Sequence, residues 1–345
     1  MSRFLQLHLL TAYPPANLNR DDLGRPKTAV MGGAERLRVS SQSLKRTWRT
    51  SDVFQQAIEN HLGTRTKRLG TRAYERLVEA GVDESDAMEW ARNIADAFGA
   101  LKKEGTEIEQ LAHISPGEWA AVDQLVDCLI EERRAPSKEE LKLLRTTPDA
   151  VDIGLFGRML AADPVFNVEA ACQVAHAISV HRVTIEDDYF TAVDDLNDGS
   201  EDVGASHIGE TGFASGLFYS YVCIDRDQLI SNLGGNTELA DLAIEALTRA
   251  AIQVAPRGKQ NSFASRAYAS YVLAEKGNQQ PRSLAVSFLR PIDGHDYGGQ
   301  AVGALQTQRD HFDRTYGACA DHRYEIDAFL GDGNLDELCA FLRDQ

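Results

Sequence analysis

The sequence predicts an α+β protein built from a ferredoxin-like sheet, an inserted helical subdomain and an extended glycine-rich loop. Strand and helix patterns alternate at both ends of the chain, apolar residues recur at helical spacing over 51–145, and five glycines fall within residues 199–216. The predicted bounds are 1–50 and 224–345 for the sheet domain (the palm), 51–189 for the helical subdomain (the fingers, returning to the palm near 180–190) and 190–223 for the loop (the thumb).

Composition is that of an ordinary globular protein. The chain has 345 residues, a net charge of −16, 43% hydrophobic and 26% charged residues. Its five cysteines form no CxxC pair, which favours a reducing cytoplasm over a disulfide framework or a zinc ribbon. We therefore expect a cytoplasmic protein without a metal or other cofactor. The N-terminus lacks a signal-peptide pattern and no apolar stretch is long enough to span a bilayer, so no membrane partner is expected.

The first element is a strand over residues 3–11. Leucines at alternate positions lie on one face, with Gln6 and His8 on the other. The Tyr13-Pro14-Pro15 turn is expected to end the strand. His8 is expected beside the ligand-binding face or exposed to solvent, without a catalytic role.

A basic segment follows at residues 18–49, with eight Lys or Arg residues against three acids. Residues 1–50 hold nine Lys or Arg and three acids, so the remaining 295 residues hold 27 and 49. Net acidity argues against general affinity for nucleic acid. A row of basic residues on an otherwise acidic protein can nevertheless bind one ordered nucleic-acid strand while repelling nonspecific duplex.

Local patterns predict how this basic segment folds. Gly32-Gly33 breaks the chain, Arg36–Val39 alternates as a strand, and Ser40 is a good N-cap for a helix over 42–58. Two pairs spaced by four residues share a helical face: Gln42 with Arg46, and Lys45 with Arg49. Such a line of cations, with Arg36 and Arg38 on one strand face, suits an extended phosphodiester. The alternative is a solvated, charged helix face after a turn.

The fingers are predicted to be helical. Apolar stripes run from Ala87 to Phe98 and from Val122 to Ile130, and a further helix is expected from Asn167 to Ser179. Lys138, Lys142 and Arg145 fall on one helical face if the helix continues there; a solvated face is favoured over a second nucleic-acid patch. Met159 and Leu160 could press against a base or belong to the core.

The thumb begins with the acidic run Asp194 to Gly199 and continues through a glycine-rich stretch to Phe213. Glycines at these positions suggest an extended loop or hairpin whose backbone approaches a partner closely. Asp194, Asp195 and His207 could be imagined as metal ligands of a nuclease. No second His and acid pair with defined spacing supports that reading.

The last third of the chain returns to alternating strands and helices. Strands are expected at 218–224, 268–273 and 284–289, and helices at 237–254, between 298 and 317, and after Asn334. A cationic turn, Arg257 to Gln260, precedes the second of these strands. This order predicts the ferredoxin-like sheet of RNA-recognition-motif modules, although the aromatic signature of such modules is missing.

Several strings resemble a known family, the CasC-type backbone subunits of the type I-E CRISPR surveillance complex, Cascade. They are NLNRDD, Pro26-Lys27, Gly32-Gly33, RLRVSSQSLKR (36–46), Arg49, VDIGLFGRM (151–159), AHAISVH (175–181), FTAVDDL (190–196) and GASHIGETGFASGLFYSY (204–221). The resemblance is high over 1–50 and 150–235 and weak in 51–140 and after 265. It implies a protein that polymerises along CRISPR guide RNA (crRNA) without cutting it.

The resemblance also implies roles for individual residues. The RNA backbone is expected to be held by Asn19, Arg20, Lys27, Arg38, Ser40, Gln42, Lys45, Arg46, Arg49, Lys259 and Gln260. The thumb, which displaces a nucleotide bound by a neighbouring subunit, is expected to use Met159, Leu160, Phe166, His207 and Phe213. Lys138, Lys142 and Arg145 would face target DNA paired with the guide. The expected partners are crRNA, target DNA, copies of the chain in a filament and the other Cascade subunits.

Three functions therefore compete. The favoured one is a non-catalytic, guide-RNA-binding filament subunit. The second is a metal-dependent RNA endonuclease that uses Asp194, Asp195 and His207. The third is a small-molecule phosphate enzyme built on the Gly32-Gly33 turn, and it is the weakest because the sequence has no P-loop or dinucleotide fingerprint. The sequence shows no candidate catalytic nucleophile with a general base at a recognisable spacing from it, which favours a scaffold over an enzyme.

Overall fold

The computed structural model describes residues 2–160, 163–192 and 207–344, with the side chains of 192, 207 and 208 left out. Two compact units divide the chain. The sheet unit comprises Met1–Ser51, Val174–Cys223 and Leu247–Gln345, and the helical unit comprises Asp52–Gln173 and Ile224–Ala246. The predicted bounds of palm, fingers and thumb stay a prediction.

Helices and strands are mixed along the chain, as the sequence predicts. The strands are β1 Phe4–Ala16, β2 Thr28–Met31, β3 Ala34–Val39, β4 Thr64–Thr66, β5 Ala112–Ile114, β6 Cys172–Val174, β7 Ala177–Ser179, β8 Glu186–Ala192, β9 His207–Asp225, β10 Ala269–Gly277 and β11 His322–Asp327. The helices are α1 Ser41–Arg49, α2 Asp52–Ala57, α3 Leu69–Glu79, α4 Glu84–Asp96, α5 Pro116–Glu132, α6 Val151–Phe156, α7 Arg226–Asn232, α8 Thr237–Gln253, α9 Gln260–Phe263, α10 Tyr297–Tyr316 and α11 Leu335–Arg343. Within the described ranges, no helix is both long and apolar enough to cross a membrane.

The main sheet has the strand order β11-β10-β1-β9-β7-β3-β2. β1 pairs antiparallel with β10, from Phe4 opposite Gly277 onward, and β10 pairs antiparallel with β11. The first strand therefore lies inside the sheet, and its flanking strands come from the far end of the sequence. This confirms an α+β fold with an antiparallel sheet.

Both faces of β1 are buried over residues 5–11. Leu5, Leu7 and Leu9 are each 1% exposed on one face, and His8 on the other is fully buried. Apolar residues from β1, β9, β10, α10 and the segments beside them form a core on the His8 side of the sheet unit: Leu10, Val180, Leu217, Tyr219, Tyr271, Leu273, Leu284, Phe288, Ala301, Val302 and Leu305. The expectation that His8 lies beside the ligand or in solvent was wrong, because alternation along a strand says which residues share a face and not what covers that face.

A hydrogen-bonded network accounts for the buried His8. Its Nε2 lies 3.1 Å from Glu275 Oε2 and its Nδ1 2.9 Å from the Tyr219 hydroxyl. The Glu275 carboxylate can only accept, so His8 donates from Nε2, and Nδ1 of the neutral ring accepts from the Tyr219 hydroxyl. That hydroxyl also accepts the Leu284 N–H. Arg282 and Arg323 also bond the Glu275 carboxylate. Burial lowers the pKa of His8, consistent with a neutral ring.

Some predicted elements differ from the structure. The helix expected over 42–58 is divided into α1 and α2 at Thr50 and Ser51, whose hydroxyls donate to the carbonyls of Arg46 and Trp48. The helix expected from Asn167 to Ser179 is wrong: strands β6 and β7 occupy its second half. The strand expected over 284–289 is instead a short 3₁₀ helix, Ala285–Phe288. β1 continues through the prolines to Ala16.

In the helical unit, the predicted apolar stripes are confirmed. Residues Ala87, Trp90, Ala91 and Ile94 of α4 are buried, and so are Val122, Leu125, Val126 and Leu129 of α5. They join one apolar core with α3. The predicted spacing thus identifies the inward faces of these helices.

The helical face proposed for Lys138, Lys142 and Arg145 is wrong. Helix α5 ends at Glu132, and Arg133 takes a left-handed conformation (φ 54°). Residues 138–145 form turns and irregular chain, in which Lys142 pairs with Glu139 at 2.5 Å. Spacing along a helix therefore does not align these three cations, although Lys142 and Arg145 are exposed.

Part of the segment predicted to form the thumb is a two-stranded ribbon. β8 pairs antiparallel with β9, from Glu186 opposite Phe213 to Ala192 opposite His207. Asp194 and Asp195 lie outside the described residues, and only the backbone of His207 is described.

Candidate nucleic-acid interface

An open cavity of about 720 Å³ lies in the sheet unit, next to α1. Three arginines line it, Arg20, Arg46 and Arg257, together with the carboxylates of Asp21 and Asp22. Two of the arginines come from the basic segment near the N-terminus, and the third comes from the turn before α9. The fold therefore joins cations that are more than 200 residues apart in sequence.

The loop after β1 forms one wall of this cavity. The Asn17 amide donates to the carbonyls of Gly24 and Gly212 at 2.9 and 2.8 Å. Asp21 Oδ1 accepts the backbone N–H groups of Leu23 and Arg25, both at 2.9 Å. This carboxylate is thus used to close the loop, which leaves the neighbouring Arg20 exposed at the cavity.

Helix α1 forms another wall. Ser40 caps it as predicted, accepting the Ser43 N–H at 3.3 Å, and the Ser40 N–H donates to Asn19 Oδ1 at 2.9 Å. Leu44, Thr47 and Trp48 face the core, so Gln42 and Arg46 are left exposed on the outer side. Ser40 is 8% exposed. Its hydroxyl oxygen accepts the N-cap hydrogen bond of α1 and does not point into open solvent.

The two arginines of β3 differ in environment. Arg36 is fully buried, and its guanidinium donates to the carbonyls of Ser179 and Phe288 at 2.9 and 2.8 Å. Arg38 is half-buried; it donates from Nε to Thr28 O at 3.4 Å and from Nη1 to His176 Nδ1 at 2.9 Å. The expectation that both arginines contribute to one line of cations is wrong for Arg36.

His176 receives its hydrogen bond as a neutral ring. Burial and the charge of Arg38 both lower its pKa, since each disfavours the imidazolium. His176 is thus a hydrogen-bonded histidine whose partner, Arg38, is 138 residues away in the sequence.

The turn before α9 is docked on the end of β1. A Cβ built on Gly258 would lie 2.2 Å from Leu18 O and 2.5 Å from Asn17 O, so only glycine fits. Arg257 donates from Nη2 to Thr50 O, at the C-terminal end of α1, at 2.8 Å, and Lys259 donates to Thr211 Oγ1 at 3.3 Å. The cationic turn is visible in the sequence, but no local pattern there marks Arg257 as a site residue.

The remaining predicted RNA contacts also belong to the sheet unit. Lys27 lines a smaller hollow beside Arg38, and its backbone N–H donates to Asn19 O at 2.8 Å. Lys45, Arg49 and Gln260 are half-buried. All of the predicted RNA-binding residues thus fall in one unit, although their contacts with RNA stay a prediction.

Gly32 and Gly33 form the tip of the β2–β3 hairpin, and both have positive φ angles, 60° and 72°. A Cβ on Gly32 would lie 1.6 Å from Leu289 O, whereas one on Gly33 would meet open space. The close approach at Gly32 is therefore made by the protein's own backbone, which argues against a phosphate cradle at this turn.

The residues proposed for nucleotide displacement are divided between the units. In the helical unit, Met159 is 80% exposed, Leu160 is buried and Phe166 is half-buried. In the sheet unit, Phe213 packs against Phe263 with ring centroids 5.9 Å apart. Among the described residues, no group of three or more His, Cys, Asp or Glu is placed to hold a metal ion.

Comparisons with known proteins identify the family. A family model described as CT1975-like protein matches residues 5–330. The chain belongs to this family. No curated protein matches the chain.

Members of CRISPR surveillance complexes resemble this CT1975-like chain along almost its whole length. One solved chain, described as belonging to a "CRISPR RNA-guided surveillance complex, pre-nicking", is 30% identical, with a TM-score of 0.79 over 98% of this chain and 99% of that one. Another, from a "CRISPR RNA-guided surveillance complex", is 26% identical, with a TM-score of 0.61 and the same coverage. The resemblance to a Cascade backbone subunit that the sequence strings suggested is confirmed.

Proposed function

We propose that this chain is a non-catalytic crRNA-binding subunit that oligomerises along the guide and forms the backbone of an RNA-guided DNA surveillance complex. The observation that carries the proposal is the arginine-lined cavity beside α1, in a chain similar to surveillance-complex subunits along 98% of its length. Three arginines from several elements outnumber the two carboxylates at the cavity, of which Asp21 is tied to its own loop, and this arrangement suits a phosphate backbone.

The RNA backbone would be held by the predicted residues together with Arg257. Its guanidinium is already oriented by Thr50 O, so less side-chain entropy is lost when it takes a phosphate. Contacts to phosphates carry no sequence information, which is what a protein that accepts different guides requires. Arg36 is not among the proposed RNA contacts, because its side chain is buried and donates hydrogen bonds to two backbone carbonyls.

The sheet is proposed to be a ferredoxin-like, RNA-recognition-motif palm with altered chemistry. The order β10-β1-β9-β7 and the helix α8 between β9 and β10 support this topology. RNA-recognition modules stack bases on an open sheet face. Here β1 is buried on both faces, so the RNA would lie along the β1–β2 loop, α1 and the turn before α9.

The thumb and the DNA contacts are further parts of the proposal. The ribbon β8–β9 would fold over RNA on a neighbouring copy, with Phe213 and His207 at the thumb and Met159, Leu160 and Phe166 in the helical unit pressing against a displaced nucleotide. The exposed Lys142 and Arg145, with Lys138, would contact target DNA. The same role implies that the protein associates with the other subunits of the complex and is located in the cytoplasm.

The decisive experiment is size-exclusion chromatography with light scattering, with and without a spacer-length RNA, followed by a gel of that RNA in magnesium. A large RNA-bound oligomer with intact RNA supports the proposal. A monomer that cleaves the RNA, with cleavage lost in Asp195→Ala, would instead indicate the nuclease. If neither occurs alone, co-expression with the companion subunits and a crRNA must yield the complex, or the proposal fails.

A further inference from the structure

One carboxylate at the arginine-lined cavity has no partner in the protein itself. Asp21 and Asp22 both line the cavity, but Asp21 Oδ1 is used to close its own loop. The exposed Asp22 carboxylate accepts no hydrogen bond and joins no ion pair within residues 2–160, 163–192 and 207–344. A carboxylate repels phosphate, so its position beside three arginines favours a ligand that also offers a hydrogen-bond donor.

The fold fixes the backbone that carries this carboxylate. Asp22 is a central residue of a tight turn, which is closed by the hydrogen bond from the Gly24 N–H to Asp21 O at 3.2 Å. The Asp21 N–H donates to Arg25 O at 2.9 Å, and the Arg25 guanidinium pairs with Asp187 of β8 at 3.1 Å. The turn is therefore tied to the rest of the sheet unit, and Asp22 is presented at the cavity from a defined position.

The chemistry of a carboxylate selects among the groups of a nucleic-acid backbone. An ionised carboxylate only accepts hydrogen bonds, and the sugar-phosphate backbone offers it one donor, the ribose 2′-hydroxyl, which RNA has and DNA lacks. Each sugar of a strand lies between two phosphates, so an acceptor among arginines suits a ribose whose phosphates those arginines hold. Such an acceptor attracts the hydroxyl of RNA, whereas it meets DNA with repulsion alone.

We propose that Asp22 accepts a hydrogen bond from a ribose 2′-hydroxyl and is the residue by which this cavity prefers RNA to DNA. The inference rests on the proposed function, since it needs an RNA strand in the cavity formed by Arg20, Arg46 and Arg257. The arginines bind phosphates, which both kinds of strand carry, and therefore supply affinity without discrimination. Asp22 supplies the difference in affinity between the two strands.

Fluorescence anisotropy of the full chain with three labelled single strands of one sequence tests this inference. The strands are RNA, DNA and 2′-fluoro RNA, which keeps the sugar pucker of RNA without the hydroxyl donor. The wild type should bind RNA about tenfold more tightly than either of the others, as expected for one hydrogen bond to a charged group. Asp22→Ala should bind all three strands about equally. Its RNA binding weakens, and its DNA binding, relieved of a repulsive charge, tightens on the order of twofold, which misfolding cannot produce.

Two further variants separate charge from hydrogen bonding. Asp22→Asn keeps an acceptor oxygen and loses the charge, so it should retain most of the preference for RNA. Glu35→Ala removes an exposed carboxylate of β3 that does not line the cavity. It is the matched control and should leave the ratio of RNA to DNA affinity unchanged.

An unchanged ratio of RNA to DNA affinity in Asp22→Ala would overturn the inference and leave the proposed function intact. So would 2′-fluoro RNA binding to the wild type as tightly as RNA, because the shape of the strand would then decide. Equal weakening of RNA and DNA in Asp22→Ala, reproduced by EDTA on the wild type, would indicate a divalent cation on Asp22 and would also overturn it. A wild type that binds no RNA, alone or with the companion subunits, would refute the proposed function and this inference with it.

Discussion

Two arginines on the same strand show how one residue's surroundings decide its role. Arg36 and Arg38 both alternate with apolar residues on β3, yet Arg36 donates to two backbone carbonyls in the interior and Arg38 bridges Thr28 and His176. A buried arginine that loses these acceptors leaves an unpaired charge in the core. Arg36 is therefore a structural residue, and the proposed phosphate contacts include the exposed Arg20 and Arg46 but not Arg36.

At the residue scale, we predict that Arg257 contributes to RNA binding as much as Arg46 does. Arg257→Ala and Arg46→Ala should each weaken binding to all sequences alike and lower the salt slope by about 0.7, the value for one contact to a single strand. Filter binding over a salt series measures both quantities. Arg314→Ala, on the exposed side of α10, is the control. If Arg257→Ala changes only the thermal stability, its hydrogen bond to Thr50 O is its whole role.

His8 predicts a dependence of stability on pH. Its pKa is lowered in the folded protein by burial, so below about pH 6.5 the unfolded chain binds a proton that the folded chain resists. The free energy of unfolding should therefore fall as the pH drops from 7.5 to 5. The pKa of Glu275 is also lowered, and although burial opposes this, the bonds from His8 and Arg282 prevail; its contribution is lost only in stronger acid.

Urea unfolding at pH 7.5 and pH 5, on the wild type and on His8→Gln, measures this effect. The variant should be less stable at pH 7.5 but lose less stability between the two pH values. An equal loss in both proteins would mean that His8 does not titrate in this range.

At the element scale, the β2–β3 hairpin depends on one glycine more than on its neighbour. Gly32→Ala places a Cβ on the carbonyl of Leu289, a backbone atom that cannot rotate away. The Cβ of Gly33→Ala meets open space. That variant should lose only the free energy of holding an alanine in the left-handed conformation, about 1–2 kcal/mol. Thermal unfolding should show a clearly larger loss for Gly32→Ala. Equal losses would show that the hairpin tip can move off residue 289.

Elements with a strong period were predicted well, and short ones were not. The helices α8, α10 and α11 stand where their patterns placed them, with Asn334 capping α11. The segment 167–179 is an exception, because its apolar residues recur at helical spacing and yet it holds two short strands. The segment 284–289 is short and apolar, and either a strand or a helix can bury such residues. Pairing with distant strands decided the first, since β7 lies between β3 and β9.

At the scale of the whole molecule, the sheet is closed on both faces at β1. A nucleic acid cannot stack on it there without displacing Tyr219, Glu275 and their partners. The proposed binding of RNA through the cations beside α1 leads to a further prediction about assembly. The number of protein copies bound per RNA should increase by one for each equal increment of RNA length. This is expected because phosphates repeat regularly along the strand and the protein does not read the bases.

Native mass spectrometry on RNAs of increasing length, prepared with the companion subunits, would count these copies. Homopolymeric guides should load as well as mixed ones, which serves as the control for sequence preference. A fixed copy number at every RNA length would contradict a filament.

The amino-acid sequence by itself determined the α+β class, the inward faces of the long helices, the cap at Ser40 and the family, because these depend on local spacing and on uninterrupted strings of residues. The tertiary structure alone decided that Arg257 joins Arg20 and Arg46 at one cavity, and that Arg36 and His8 are buried. Each of these depends on which distant segments fold against each other. A local pattern specifies the direction of a side chain from its own backbone, but not the atoms that surround it.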